Sequence, residues 1–241
     1  MSNSYIKSLL TNPEITNQYY KKSIIKTEQQ KYLESILNVR AIKPTTVADI
    51  ACGGGTLSYH LSHLYPDADF HLTDLNPDGL EIAKDLCRGD KFHFFVEDLY
   101  AIQNLPAKSF DLVFCWQTLS WINDPEIALK QLLNLLKSGG RLYVSALFNL
   151  NHDVDIYASV KDNTRMGAEH YSYNTYSKRS VEKWIGDKVK HMAFHSFDPE
   201  IDFEYEGLGL GTYTVKTENK RLQISGGILL NWAILEAVTT A

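Results

Sequence analysis

The sequence predicts an α/β fold: a doubly wound, mostly parallel sheet with helices on both faces. Three observations predict it. Residues Val47 to Ser58 read strand, glycine turn, helix, with an apolar run leading into Gly53, Gly54 and Gly55. In open α/β sheets such a unit forms sites, because ligands lie outside the carboxyl ends of the strands. From residue 46 to 148, short apolar runs alternate with segments of helical periodicity, which implies parallel strands joined by helices. The third to fifth runs are almost continuously apolar, as strands covered on both faces are.

The elements follow in order. Ile24, Ile25, Leu33, Ile36 and Leu37 recur at helical spacing and predict a helix over 19–39, with the polar run 26–31 on its other face. After Pro44 the first strand starts near Thr46. A helix over 57–65 is closed by Pro66, and the second strand covers 69–75. Asn76-Pro77 opens the next helix, since Asn caps well and Pro suits the first helical position. That helix runs to about Arg88, with Gly89 as its stop. The third strand spans 91–96, and a loop or short helix covers 99–106. The fourth strand is 111–116. A leucine-rich helix begins at Pro125 and stops at Ser138-Gly139-Gly140, before a fifth strand over 141–147. Residues 149–176 are polar and rich in tyrosine, and read as a cap over the ligand edge. Ser177 N-caps a helix to about Ile185. Tyr213 to Val215 and Leu222 to Ile224 alternate by twos around residues 218–220, a hairpin pattern.

At 241 residues the chain suits one domain: a helical lead-in or lid over 1–45, a binding core over 46–148, a cap over 149–186 and C-terminal strands over 187–241. Hydrophobic content of 44% and charged content of 22% are ordinary for a globular protein. A net charge of −5 argues against a polyanionic partner, because nucleic-acid binders carry a basic footprint. No apolar stretch reads as a signal sequence or a bilayer span, so a cytoplasmic protein without membrane partners is expected. Cys52, Cys87 and Cys115 match no zinc spacing and, being odd in number, no disulfide framework; no metal site is expected.

Two acids fall in step with the glycine turn. Asp74 ends the second strand, about 25 positions after Asp49, where a carboxylate can accept both hydroxyls of a ribose diol. Asp98 ends the third strand, placed to accept from the exocyclic amine of an adenine.

Together with Phe110 to Phe114 and Leu136 to Val144, these features resemble the class I S-adenosylmethionine-dependent methyltransferases over about residues 47–148. The family's acid and glycine pattern reads here Asp49-Ile50-Ala51-Cys52-Gly53-Gly54-Gly55, with Ala51 in place of the first glycine. The resemblance implies a Rossmann-like sheet of seven strands with an antiparallel C-terminal strand or hairpin. It implies S-adenosylmethionine as cofactor and S-adenosylhomocysteine as product. The implied cofactor residues are Asp49, Ala51, Cys52, Gly53, Gly55, Asp74 with Leu75, Asp98 with Leu99, and Cys115 and Gln117 at the fourth strand. Tyr19-Tyr20 in the lead-in stand where similar proteins close a residue over the cofactor, and Tyr20 is taken as that residue. A nicotinamide dehydrogenase fits less well, because its fingerprint needs glycine or alanine where this chain has Ser58.

Methyl transfer from a sulfonium is an in-line displacement, for which alignment and exclusion of water suffice unless the acceptor holds its proton. His152, Asp153 and His170 in the cap are candidate bases, His152 and His170 foremost because imidazole titrates near neutrality. Trp116, Trp121, Tyr171 and Tyr173 are candidate acceptor contacts. The expected function is methylation of a small polar metabolite at a hydroxyl or amine, a sugar included, by a monomer or homodimer. The alternatives are a non-catalytic cofactor-binding subunit on the same fold, or an enzyme acting on protein or nucleic acid.

Overall fold

The computed structural model of the protein describes residues 25–160, 171–197, 211–216, 221–227 and 231–240. In chain order the helices are α1 (Glu28–Arg40), α2 (Thr56–Leu64), α3 (Pro77–Leu86), α4 (Pro125–Leu135) and α5 (Lys178–Ile185). The strands are β1 (Thr46–Ile50), β2 (Asp69–Asp74), β3 (Phe92–Val96), β4 (Phe110–Trp116), β5 (Leu136–Asn149), β6 (Ser159–Val160), β7 (Tyr171–Ser172), β8 (Tyr176–Ser177), β9 (Val189–Phe197), β10 (Gly211–Lys216), β11 (Arg221–Gly227) and β12 (Asn231–Thr239).

The main sheet runs β3-β2-β1-β4-β5-β12-β9, with the short β8 added beside β5. Strands β1 to β5 are parallel, and β12 lies antiparallel to both β5 and β9. The order reverses at β1, which pairs with β2 on one side and β4 on the other. A crevice therefore opens between the carboxyl ends of β1 and β4, the place where this architecture binds ligands.

Successive side chains of a strand point to opposite faces, so the sheet carries two cores. On one face Ala48, Ile50, Val113, Leu142 and Val144 pack under Leu129 and Leu132 of α4 and Val181 and Ile185 of α5. On the other, Val47, Phe70, Leu72, Leu112 and Phe114 pack under Leu33 and Leu37 of α1, Leu57 and Leu61 of α2 and Ala83 of α3.

Local chemistry sets the ends of the elements. Asn76 caps α3, accepting from the Asp78 N–H, with Pro77 in its first turn. Ser177 caps α5 by accepting from the Ser180 N–H. The hairpin pattern is realised as β10 and β11, with Tyr213 opposite Ile224.

Two expectations need correction. Among the described residues α1 starts at Glu28 and leaves out 25–27, because Thr27 and Gln30 form a capping box with both reciprocal bonds made; 19–24 of the expected helix lie outside the described residues. The Pro125 helix ends at Leu135, and 136–140 belong to the irregular start of β5: Phe110 pairs with Leu136, then Leu112 with Arg141. A Cβ on Gly140 would lie 2.9 Å from the Lys137 carbonyl and 3.0 Å from that of Phe110, so the backbone can fold this tightly only around glycine. Of the two forms expected for 99–106 the structure has the loop, in which the Glu97 carboxylate accepts from the N–H groups of Gln103 and Asn104. Within the expected C-terminal strand region, β9 and β12 extend the main sheet, β12 antiparallel to β5, while β10 and β11 pair as a separate hairpin.

Candidate active site

The site grows from the end of β1. Asp49 is 1% exposed and its Oδ2 accepts from the Ser58 hydroxyl of α2 at 2.7 Å. Burial drives its pKa up to about 7; the Ser58 bond opposes the rise and the neighbouring Asp74 charge adds to it. Past Asp49 the chain turns sharply. Ala51 (φ 58°), Gly53 (φ 55°) and Gly55 (φ 76°) all lie in the left-handed region. The Cys52 N–H reaches across to the Thr73 carbonyl of β2 at 2.8 Å, and the Gly55 N–H closes the turn on the Cys52 carbonyl at 3.0 Å.

Asp74 closes the other side of the turn. Its Oδ2 accepts from the Gly53 N–H at 2.8 Å and its Oδ1 from the Asn76 N–H at 2.9 Å. Burial raises its pKa, and these backbone bonds hold it down in part. An ionised carboxylate offers about four acceptor positions. The Gly53 and Asn76 N–H groups use two, and the Leu75 N–H also acts on the carboxylate, which leaves acceptor capacity for a ligand hydroxyl. Leu75 beside it is 38% exposed, an apolar surface at the strand end. Asp98 is half-buried after β3, with one oxygen accepting from the Tyr100 N–H at 2.9 Å.

Gln117 follows β4 with its backbone at φ 55° and its N–H on the Ser145 carbonyl at 3.0 Å. Its side-chain amide donates to Gln29 Oε1 of α1 at 2.9 Å, so the first turn of α1 closes over this end of the crevice. Among the described residues the buried side-chain polar atoms without a partner are Gln29 Nε2, Asp49 Oδ1, His60 Nε2, Tyr65 Oη, His71 Nδ1, Asn76 Nδ2 and Ser145 Oγ, of which Asp49 and Asn76 belong to the ends of β1 and β2 and Ser145 pairs with Trp116 at the end of β4. Such orphans are costly. Among the described residues no cluster of His, Cys, Asp or Glu has the makings of a metal site.

The cap locks the loop after β4. Asn174 is buried; its amide donates to the Ile122 carbonyl and to the Tyr176 hydroxyl, and its N–H donates to the Ser120 carbonyl. Tyr176 in turn donates to the Ile122 carbonyl at 2.8 Å. Trp121 and Tyr173 meet edge to face, with ring centroids 4.8 Å apart. Trp116 is half-buried and packs against the second core.

The structure therefore brings together Asp49, Ala51, Cys52, Gly53, Asp74 and Gln117, and separately Trp121 and Tyr173. Other expectations change. The Cys115 side chain is fully buried in the core under α4, where burial pushes its thiol up to about 12, so only its main chain can face a ligand. Leu99 is buried in that same core. Gly55 has a packing reason in place of a ligand-facing one: an added Cβ would lie 2.9 Å from the Ala83 Cβ of α3. His152 is exposed beyond β5, its N–H donating to Asn149, and no described contact joins it to the aspartates. Asp153 is occupied by an exposed ion pair with Arg179. Tyr171 is described only through the pairing of its backbone with Val160, and Tyr20 and His170 lie outside the described residues. Gln29, Ser58 and Asn174 are contributors that sequence reasoning missed; the Thr27-to-Gln30 capping box was the available signal for Gln29, while nothing in the sequence marked Asn174.

Comparison with known proteins bears on the family and the fold. A family described as "Methyltransferase domain" matches residues 48–144. A malonyl-[acyl-carrier protein] O-methyltransferase of Hahella chejuensis is 26% identical over 211 residues, 79% of this chain and 69% of that protein. A second such enzyme, from Ilyobacter polytropus, is 27% identical over 150 residues; the match covers 61% of this chain and 55% of that relative's length. Among solved structures, the 1,6-didemethyltoxoflavin-N1-methyltransferase of Burkholderia thailandensis, with its substrate and S-adenosylhomocysteine bound, superposes with a TM-score of 0.58 at 14% identity, covering 100% of this chain and 92% of that one. The glycine turn between β1 and α2 and the acid closing it from β2 both lie inside the matched segment, so residues 48–144 are similar to the methyltransferase-domain family, and the relatives and solved structures that the chain resembles are methyltransferases.

Proposed function

We propose that the protein transfers a methyl group from S-adenosylmethionine to an oxygen of a small polar acceptor, free or carried on a larger carrier. The observation that supports it most is the Asp74 carboxylate, fixed by the Gly53 and Asn76 N–H groups at the end of β2 with acceptor capacity left for a ribose hydroxyl. The choice of oxygen follows the relatives, which are named as O-methyltransferases.

When bound, the cofactor supplies a methyl group on a good sulfonium leaving group. The chain's residues hold and align. Asp74 takes the ribose, Leu75 and Asp98 flank the base, and the open main chain at Ala51 to Gly53 lets the ligand lie close. Gln117 and the first turn of α1 close the β4 side and keep water out. Trp121 and Tyr173, locked to the β4 loop through Asn174 and Tyr176, offer an aromatic wall to the acceptor. An acceptor already ionised at neutral pH, such as a carboxylate, needs no base; a hydroxyl needs one, and His152 is the described candidate.

Calorimetry with S-adenosylhomocysteine tests the reading. Saturable one-to-one binding is expected, weakened about a hundredfold or more in Asp74→Ala, since two hydrogen bonds to a charged group are lost. Binding that ignores Asp74 would refute it. A screen of hydroxyl and carboxylate acceptors with methyl-labelled cofactor then identifies the acceptor.

A further inference from the structure

Tyr100 ties the loop after β3 to the loop after β4. It sits in a tight turn, where the Ala101 N–H donates to the Asp98 carbonyl at 2.9 Å and the Tyr100 N–H donates to Asp98 Oδ1. Its side chain crosses to the other loop. The hydroxyl accepts from the N–H groups of Asn123 and Asp124, at 3.0 and 3.1 Å. Asp124 opens α4 but its own side chain makes no capping bond, so the helix start is held by a phenol from a different loop. The Gln131 amide of α4 reaches back to the Tyr100 carbonyl.

The loop after β4 is bonded onward to the cap. Asn123 Oδ1 accepts from the Ser172 hydroxyl of β7. The Asn174 N–H and side-chain amide donate to the Ser120 and Ile122 carbonyls, on either side of Trp121, whose ring meets Tyr173. A path of hydrogen bonds thus leads from the carboxylate that would hold the base to the aromatic pair that would face the acceptor. Asn123 and Asp124 are exposed, and exposed hydrogen-bonded loops open locally unless something restrains them. A ligand that restrains Asp98 also restrains the Tyr100 turn, and the β4 loop then has less freedom to lose when a second ligand arrives.

We propose that Tyr100 is the positioning residue that couples the two ligands: the cofactor's base fixes Asp98, and the Tyr100 hydroxyl passes that order to the Trp121–Tyr173 wall. The cofactor therefore binds first and raises the affinity for the acceptor. This rests on the function proposed above.

Hydrogen exchange on the full chain tests it, read over 119–124 and 171–177 with and without saturating S-adenosylhomocysteine. In the parent the ligand is expected to slow exchange about threefold or more in both segments. Tyr100→Phe keeps the ring and the N–H on Asp98 and removes only the hydroxyl. It is expected to bind S-adenosylhomocysteine within about twofold of the parent in calorimetry, and to lose the slowing in both segments. A hydroxyl that merely braces the fold gives a different result: exchange in the variant is faster by one factor with and without ligand, and the ligand-induced slowing survives. That result overturns the proposal, as does a parent that binds S-adenosylhomocysteine with neither segment slowed. A loss of affinity of about tenfold or more in Tyr100→Phe also overturns it, since the hydroxyl would then belong to the base's own contacts. If the parent does not bind S-adenosylhomocysteine at all, the cofactor assignment itself fails and this inference with it.

Discussion

At the scale of single residues, Asp49 and the glycine turn define what the site requires. Asp49 titrates near 7 when folded, against 3.8 for a free side chain. Between those values the unfolded chain has given up a proton that the folded chain keeps, so stability falls as pH rises through that window. The Asp49 contribution is up to about 4 kcal/mol lost between pH 4 and 8. Urea titrations at several pH values should show Asp49→Asn flattening that fall, with the gain over the parent appearing at pH 8 and vanishing near pH 4. The turn gives a second test. Gly55→Ala puts a methyl against Ala83 at 2.9 Å and forces φ 76° on an alanine. It should cost about 2–5 kcal/mol in urea denaturation. Ala51→Gly relieves left-handed strain at φ 58° but adds chain entropy. It should leave stability unchanged or raise it by up to about 1 kcal/mol.

At the scale of elements, α1 is fastened at both ends. Its first turn reaches Gln117 at the carboxyl edge of the sheet. Its last residue, Arg40, donates through Nε and Nη2 to Glu236 of β12, at 3.1 and 2.7 Å. Glu236 is fully buried and also meets Arg141, the Tyr143 hydroxyl and His195. Despite the cost of burial, these partners hold its pKa down to about 2, so its contribution is complete above pH 4.5 and is lost as pH falls towards 2. Glu236→Gln leaves two guanidiniums facing each other without their counter-charge, and should cost about 3–5 kcal/mol at pH 7 by chemical denaturation.

At the scale of the molecule, the elements that could be read were those whose signals are local. β1 to β5 and their helices announce themselves through apolar runs and through Asn76-Pro77 and Ser177, whose capping depends on neighbours in sequence. β12 and β9 did not, because their places are fixed by pairing across the sheet with β5, and Glu236 inside β12 disguises an apolar strand until Arg40, Arg141 and His195 are brought to it. The site divides in the same way. Asp49, Gly53 and Asp74 were legible from spacing. Gln29 was not, since its position depends on how a helix almost ninety residues before Gln117 docks. The Cys115 side chain turns into the core because strand residues alternate between faces, and the Leu99 side chain, three residues beyond β3, packs into the same core, which leaves each its main chain for the crevice. The central claim is that an adenosyl cofactor lies across the carboxyl edge between β1 and β4. The most direct measurement is a crystal structure with S-adenosylhomocysteine. The account predicts its ribose hydroxyls within hydrogen-bond distance of both Asp74 oxygens and its base beside Leu75 and Asp98; a nucleoside bound elsewhere, or bound there with Asp74 turned away from the sugar, would contradict it.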